Sequence, residues 1–456
     1  MLFVVLLFGI SVVFMQFALP AFWIVIDFTV VYLFFFSFYR FSNRWMNLSE
    51  KIIRKRIFWS ALWIRVGYVL LSYLFFMEMT GLPFEFQSAD AMGYHYQGLR
   101  IAEFFRMGQF DITPLIYFEK MSSRGIMILM GAVYTIFFDS VVAFRILNSI
   151  LGAWACVMIF DMARRSFGLR AARVCAAMAV PAPPLIYYCG LHLKEAVIIF
   201  LMVFYMNIAD RLLKEKQFSV RNLAMLVGTT ALMFLFRNAL AVALFLSFIT
   251  ALILIPKSET SPPKRFAVAA FLVFSLVLLS MADLETEAQK ETMYYVAQKA
   301  SNLEDHMRLY AQRGNVFATK AKRAVFAPLG FIGPLPTLVD TGQKNIIMLA
   351  GAMFFRNIFA FFVFISLYYM VKRKQWRHHI FFITVFFSWL FILSNSGYAL
   401  QDRFHLVFVP IIILFSGYGI SLAEKKSIAN FRLYLMFLGG LIFAWNWFKL
   451  AGRGWI

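Results

Sequence analysis

Charged residues are what this sequence has least of. Only 15% of its 456 residues are Asp, Glu, Lys or Arg, against about 25% in an ordinary soluble domain. Apolar residues make up 62% and mean hydropathy is +0.74. They lie in continuous runs without period-two alternation, which excludes a soluble fold and a β-barrel and predicts α-helical membrane spans. Cysteine is also scarce. Cys156, Cys175 and Cys189 all fall in apolar runs, with spacing that fits neither a metal site nor a disulfide framework, and read as small buried residues. The chain has no phosphate loop, HExxH, GxSxG, paired CxxC or dinucleotide fingerprint, so nothing in it supports ATP-driven transport. It has no tandem repeat, no low-complexity stretch and no break in composition, and a single transmembrane domain over 1–456 is expected. Acidic residues are outnumbered, 23 against 44 Lys and Arg, for a formal net charge of +21. A soluble protein so basic would suggest nucleic acid. Here the basic residues cluster between apolar runs, as cytoplasmic loops beside membrane lipids do, and no nucleic-acid partner is expected.

What is present is a series of long apolar runs. Spans are expected over 1–17, 21–39, 57–79, 141–161, 171–189, 194–211, 222–238, 240–256, 266–282, 346–370, 380–396, 404–422 and 431–449. The first lacks the basic n-region of a cleaved signal peptide and reads as a retained span. One further apolar stretch, 125–138, decides the topology. Six basic clusters, over 40–56, 164–173, 211–221, 257–265, 371–377 and 424–432, fall on one side only if this stretch does not cross. It is therefore expected to be a juxtamembrane or re-entrant helix. The fold is then an all-α polytopic bundle of about 13 spans, with outer segments over 80–140 and 282–345. Apolar residues recurring every three or four positions over 293–309 predict a helix lying on the membrane surface. The stretch APLGFIGPLP (327–336) predicts an irregular loop.

On the face opposite the basic clusters, a few polar residues could carry chemistry. SADAMGYHYQGLRIAE holds Asp90, Tyr94 and His95. Asp90 and Tyr94 share a helical face, and Asp90 is either a general base, a metal-holding carboxylate or an N-cap. Lys194 and Glu195 are either interface anchors or a phosphate-binding pair. Arg237 interrupts an apolar run, where an arginine usually has an anionic partner, and reads as a phosphate ligand, a member of a structural ion pair or a snorkelling side chain. SNSGYALQDRFH feeds Gln401, Arg403 and His405 into a helix start, suited to gripping an anion unless Arg403 merely pairs with Asp402. Arg124, at the start of the non-crossing helix, is a further candidate. Arg145 and Arg356, in or near spans, could be anion ligands or structural partners.

The succession SADAMGYHYQGLRIAE, SRGIMILMGAVYTIFFDS, VVAFRILNSILGAWACVMIFDMARRSFG and LHLKEAVIIFLMVF resembles bacterial lipid-carrier-dependent glycosyltransferases of the GT-C fold, related to the protein mannosyltransferase and aminoarabinose transferase superfamily. The late GYALQDRFHLVFVP resembles their Arg-containing motif before a Pro-bearing span. The resemblance covers residues 57–210 and, more loosely, 395–412. It implies transfer of a sugar from a polyprenyl-phosphate donor to a glycan, lipid or protein acceptor, at the outer face of a bacterial cytoplasmic (inner) membrane. Asp90 matches the family's outer-loop carboxylate. Lys194, Arg237 and Arg403 match the basic residues that bind the carrier phosphate. Many relatives carry adjacent acids in this loop. Here Glu85 and Asp90 are separated, so a divalent metal cofactor is compatible with the sequence but not required by it. A polysaccharide polymerase or ligase, and a flippase or transporter of the lipid-linked sugar, are the alternative readings.

Overall fold

The computed structural model describes residues 2–86, 88–116, 119–214, 219–254, 270, 331–333, 335–340, 344–395 and 402–451. Among these the chain is helical, without strands. The helices are α1 (Leu2–Val13), α2 (Ala21–Trp45), α3 (Glu50–Thr80), α4 (Ala89–Arg106), α5 (Thr113–Ile116), α6 (Met121–Phe137), α7 (Val141–Ala179), α8 (Pro183–Tyr187), α9 (Glu195–Lys214), α10 (Val220–Phe234), α11 (Asn238–Leu254), α12 (Lys344–Lys372), α13 (Ile380–Asn395), α14 (Asp402–His405), α15 (Phe408–Leu422) and α16 (Lys425–Ala451).

Among the described residues, seven helices are long and apolar enough to cross a membrane: α2, α3, α7, α9, α12, α13 with the turn before it, and α16. Four more expected spans coincide with the shorter apolar helices α1, α10, α11 and α15. The expected span 171–189 corresponds to the second arm of α7 together with the short helix α8. The thirteenth, 266–282, lies outside the described residues except for Ala270, and the expected surface helix over 293–309 lies wholly outside them. The chain is thus an all-α membrane bundle.

Helix α7 is two helices joined at Gly168, which has φ 84° and ψ 171°. A straight helix would separate Cys156 from Ala179 by about 35 Å. Instead the Cys156 Sγ donates to the Ala179 carbonyl at 3.5 Å, so the arms fold back on each other. The second arm is short because Pro181, Pro183 and Pro184 cannot continue it. Its open end lies in the interior and is capped from α3. The fully buried Arg65 donates from Nη1 to the Val180 carbonyl at 3.2 Å and from Nη2 to that of Ala179 at 3.4 Å. A guanidinium is well suited to a helix C-terminus, where carbonyls lack partners and the dipole is negative. The segment 180–194, which includes α8, is buried throughout but for two half-buried positions.

Small residues set the closest crossings. A Cβ on Gly131 of α6 would collide with Ile101 of α4, and one on Gly98 of α4 would lie 2.8 Å from Met130. These two helices form a tightly packed pair outside the long spans.

The basic loops collect at one end. Arg54 pairs with Asp161 at 2.7 Å and Arg164 with Glu50 at 2.5 Å. Arg173 donates to the Leu48 carbonyl at 2.7 Å. Asp210, nearly fully buried, is held by Arg165 at 2.9 Å and Lys214 at 2.8 Å. The Phe167 ring sits 4.8 Å from His379 and 4.6 Å from Tyr418, which brings in the turns before α13 and after α15. Five of the six basic clusters therefore share this end, and the sixth, 257–265, is outside the described residues.

Candidate functional site

Helix α9 fixes where the other end lies. It has 20 residues, so Glu195 at its start stands about 30 Å from Lys214, roughly one hydrocarbon thickness. Around Glu195 the chain gathers charged side chains from four separate segments. Asp90 comes from the first turn of α4, Lys194 and Glu195 from the start of α9, Arg237 from the turn between α10 and α11, and Arg403 from α14.

Their contacts form two ion pairs of different character. Arg403 Nη1 donates to Asp90 Oδ2 at 2.5 Å, with side chains 37% and 51% exposed. Arg237 Nη2 donates to Glu195 Oε1 at 3.3 Å, with side chains 10% and 3% exposed. The first pair is open to solvent and to ligands. The second is buried, and it holds a carboxylate that would be costly alone. The Phe404 ring lies between the two cations, 4.7 Å from the Arg237 guanidinium and 5.3 Å from that of Arg403.

Lys194 completes the group. Its Nζ donates to the Ser122 carbonyl at 2.6 Å and lies 5.9 Å from the Tyr94 ring centre. Burial, with Arg237 and Arg403 nearby, pushes its pKa down to about 8, against the pull of Glu195 and Asp90. Burial likewise raises Tyr94 to about 12. The turn carrying Arg237 is tied to α6 by the Gly125 amide, which donates to the Leu235 carbonyl at 3.0 Å.

The remaining candidates sit differently. His95 points to Tyr134 on α6, with Nδ1 and Oη 2.7 Å apart, and the same hydroxyl lies 2.7 Å from His192 Nε2. Burial lowers the pKa of both histidines, His192 strongly. This chain of hydrogen bonds fastens α4, α6 and the segment before Lys194 to one another. Arg124 holds the Glu119 carbonyl at 3.1 Å, and Gln97 donates to the Glu119 carboxylate at 3.0 Å. His405 turns away from Arg403 to Arg356 on α12. Gln401 lies outside the described residues.

Further polar residues surround the site, of which Glu85 and Arg145 are visible in the sequence and Tyr134 and His192 are not. Glu85 is buried, and burial raises its pKa, with Glu195 and Asp90 adding to the effect and Arg145 opposing it. Arg145, in the first arm of α7, donates to the Pro83 carbonyl and so anchors the loop that leads into Asp90. Tyr134 and His192 carry no signal, because an aromatic run and a lone histidine look like core. Among the described residues no group of three or more His, Cys, Asp or Glu side chains stands close enough to hold a metal ion.

No known family model and no curated protein matches this sequence. Among solved structures the chain is similar to the archaeal oligosaccharyltransferase AglB from Archaeoglobus fulgidus, in complex with an inhibitory peptide and a dolichol-phosphate. The TM-score is 0.44 and the identity 13%, over 89% of this chain and 56% of that one. The chain thus spans little more than half the length of that protein.

Proposed function

We propose that this chain is a membrane glycosyltransferase that moves a sugar from a polyprenyl-phosphate donor to an acceptor hydroxyl, at the face opposite its basic loops. The observation that carries this reading is the meeting of Asp90, Lys194, Glu195, Arg237 and Arg403 at one end of α9, with only the Asp90–Arg403 pair open. Three cations and two carboxylates leave a net positive site at a membrane boundary, which favours a lipid phosphate. In the reaction the acceptor oxygen forms a bond to the anomeric carbon while the bond from that carbon to the phosphate oxygen breaks. The phosphate leaves with the electron pair, and the acceptor proton passes to the Asp90 carboxylate. Arg403 and Lys194 stabilise the growing phosphate charge, and Arg237 stays with Glu195 as the buried frame. Arg403 exchanges Asp90 for phosphate as the donor binds, which frees the base. The enzyme then works at the outer face of a bacterial inner membrane, in keeping with the sequence resemblance.

Two variants test this. Asp90→Asn is expected to lower transfer of labelled sugar, from a polyprenyl-phosphate-linked pool into the water-soluble or protein fraction, by about 100-fold or more. It should keep its binding of undecaprenyl phosphate in nanodiscs. Arg403→Ala is expected to weaken that binding about tenfold, with no effect on the weak binding of undecaprenol. Full transfer by Asp90→Asn would overturn the assignment of the base, and equal binding of phosphate and alcohol would overturn the carrier site.

A further inference from the structure

Outside the site, the pair formed by α4 and α6 ends in an unusual tip. Five large apolar side chains there are mostly in the open: Phe138 is 85% exposed, Phe110 77%, Met107 70%, Ile136 66% and Phe137 55%. Two chain segments supply them, and Arg106 joins the segments. It donates to the Tyr134 carbonyl at 2.6 Å and to Asp139 at 2.8 Å. The backbone at the tip is also held in an unfavourable form. Phe138 and Asp139 both have positive φ, 49° and 64°, a region where a residue with a Cβ is strained and glycine is not. A phenylalanine that gains little from the protein interior therefore occupies a place where glycine would fit better.

The position of the tip says what covers it. The long apolar helix α7 begins at Val141, capped by the Ser140 hydroxyl, and it is one of the helices able to cross a membrane. Residues 136–138 thus stand directly at the point where the chain enters the bilayer. Aromatic side chains at that depth are at home between headgroups and acyl chains. The ionic collar of Arg106 and Asp139 just behind them matches the headgroup zone.

We propose that Met107, Phe110, Ile136, Phe137 and Phe138 form a wedge that inserts into the lipid interface and anchors the α4–α6 pair, and with it Asp90, to the membrane surface. The wedge does not depend on the reaction assigned to the site, and its test reads depth rather than activity. The full chain, whose three native cysteines are buried, is given a single labelling site by Phe138→Cys or, separately, Phe110→Cys. Each is labelled with an environment-sensitive fluorophore and reconstituted in phosphatidylcholine–phosphatidylglycerol nanodiscs, where both faces meet the solvent, with Lys374→Cys as the reference in an exposed turn. Lipids carrying a doxyl group near the headgroup are expected to quench both tip labels several-fold more than the reference, and iodide several-fold less. Quenching by iodide to the level of the reference would overturn the proposal, because the tip would then stand in water. Protection from both quenchers would overturn it as well, because protein would then cover the tip. Phe110 lies outside the strained turn, so a folding fault from replacing Phe138 leaves the Phe110 label as an independent reading.

Discussion

At the scale of single residues, Lys194 has the most to say about conditions. Its ammonium is held near the point of losing its proton, with a pKa pushed down to about 8 by burial. A bound phosphate would favour the charged form, so affinity should follow the proton. A phosphomonoester reaches its full charge above about pH 6. Binding of undecaprenyl phosphate is therefore expected to strengthen up to about pH 7 and then to fall as pH rises through 8, approaching about tenfold per pH unit. Lys194→Arg, whose charge persists, should remove the alkaline fall while keeping the acid limb. Titration by tryptophan quenching in nanodiscs checks this, and an unchanged alkaline limb in Lys194→Arg would remove Lys194 from the binding site. The residues that meet here are legible in the sequence because a charge inside or beside an apolar run is costly and stands out. Lys194, Glu195, Arg237 and Arg403 have that signature, whereas Asp90 lies in a polar outer segment and is singled out by the family resemblance. Their pairing is not legible: Arg403 has Asp402 as its chain neighbour, yet its described partner is Asp90.

At the scale of elements, the broken arm of α7 depends on one residue of α3. Arg65 is fully buried in α3 and gives its hydrogen bonds to the carbonyls of Ala61, Ala179 and Val180 and to the Cys156 sulfur. Arg65→Met should keep much of the volume and leave the helix end unpartnered, at about 1–3 kcal/mol for each buried carbonyl. Unfolding midpoints in detergent are expected in the order wild type, Arg65→Lys, Arg65→Met. A methionine variant as stable as the wild type would show that the carbonyls find other partners. Hydropathy places the two arms of α7 on either side of a basic loop. It cannot show that the second arm stops at Ala179, because the stop depends on proline geometry together with a cap from another helix. The same limit applies to the link between α4 and α6. Tyr134 belongs to an apolar run in sequence, and only the approach of His95 and His192 gives its hydroxyl a purpose.

At the scale of the whole molecule, the two ends of α9 carry opposite chemistry. Asp210 binds basic loops to one another at one end, and Glu195 faces the candidate site at the other. This arrangement predicts sidedness in sealed vesicles. Single cysteines at Asn47, Arg170 and Lys374 should react with a membrane-impermeant maleimide from one face only, and a cysteine at Asp111 from the other. Labelling of Arg170→Cys and Asp111→Cys from the same face would overturn the two-ended arrangement. The grouping of the basic loops is readable from the sequence, since it comes from counting charges between apolar runs. The depth at which each helix begins and ends is not, because it is set by packing between helices far apart in the chain.

The two ion pairs at the site also differ in when they can form. At synthesis rates of about 5–20 residues per second, the 42 positions between Glu195 and Arg237 take about 2–8 s. The 313 positions between Asp90 and Arg403 take about 15–60 s. The carboxylate that is buried in the finished fold thus gains its cation almost at once, while the one that waits longest is half in water and tolerates the delay. During biosynthesis the nascent chain carries its proposed base but not the arginine opposite it, and the site is complete only once α14 has been made.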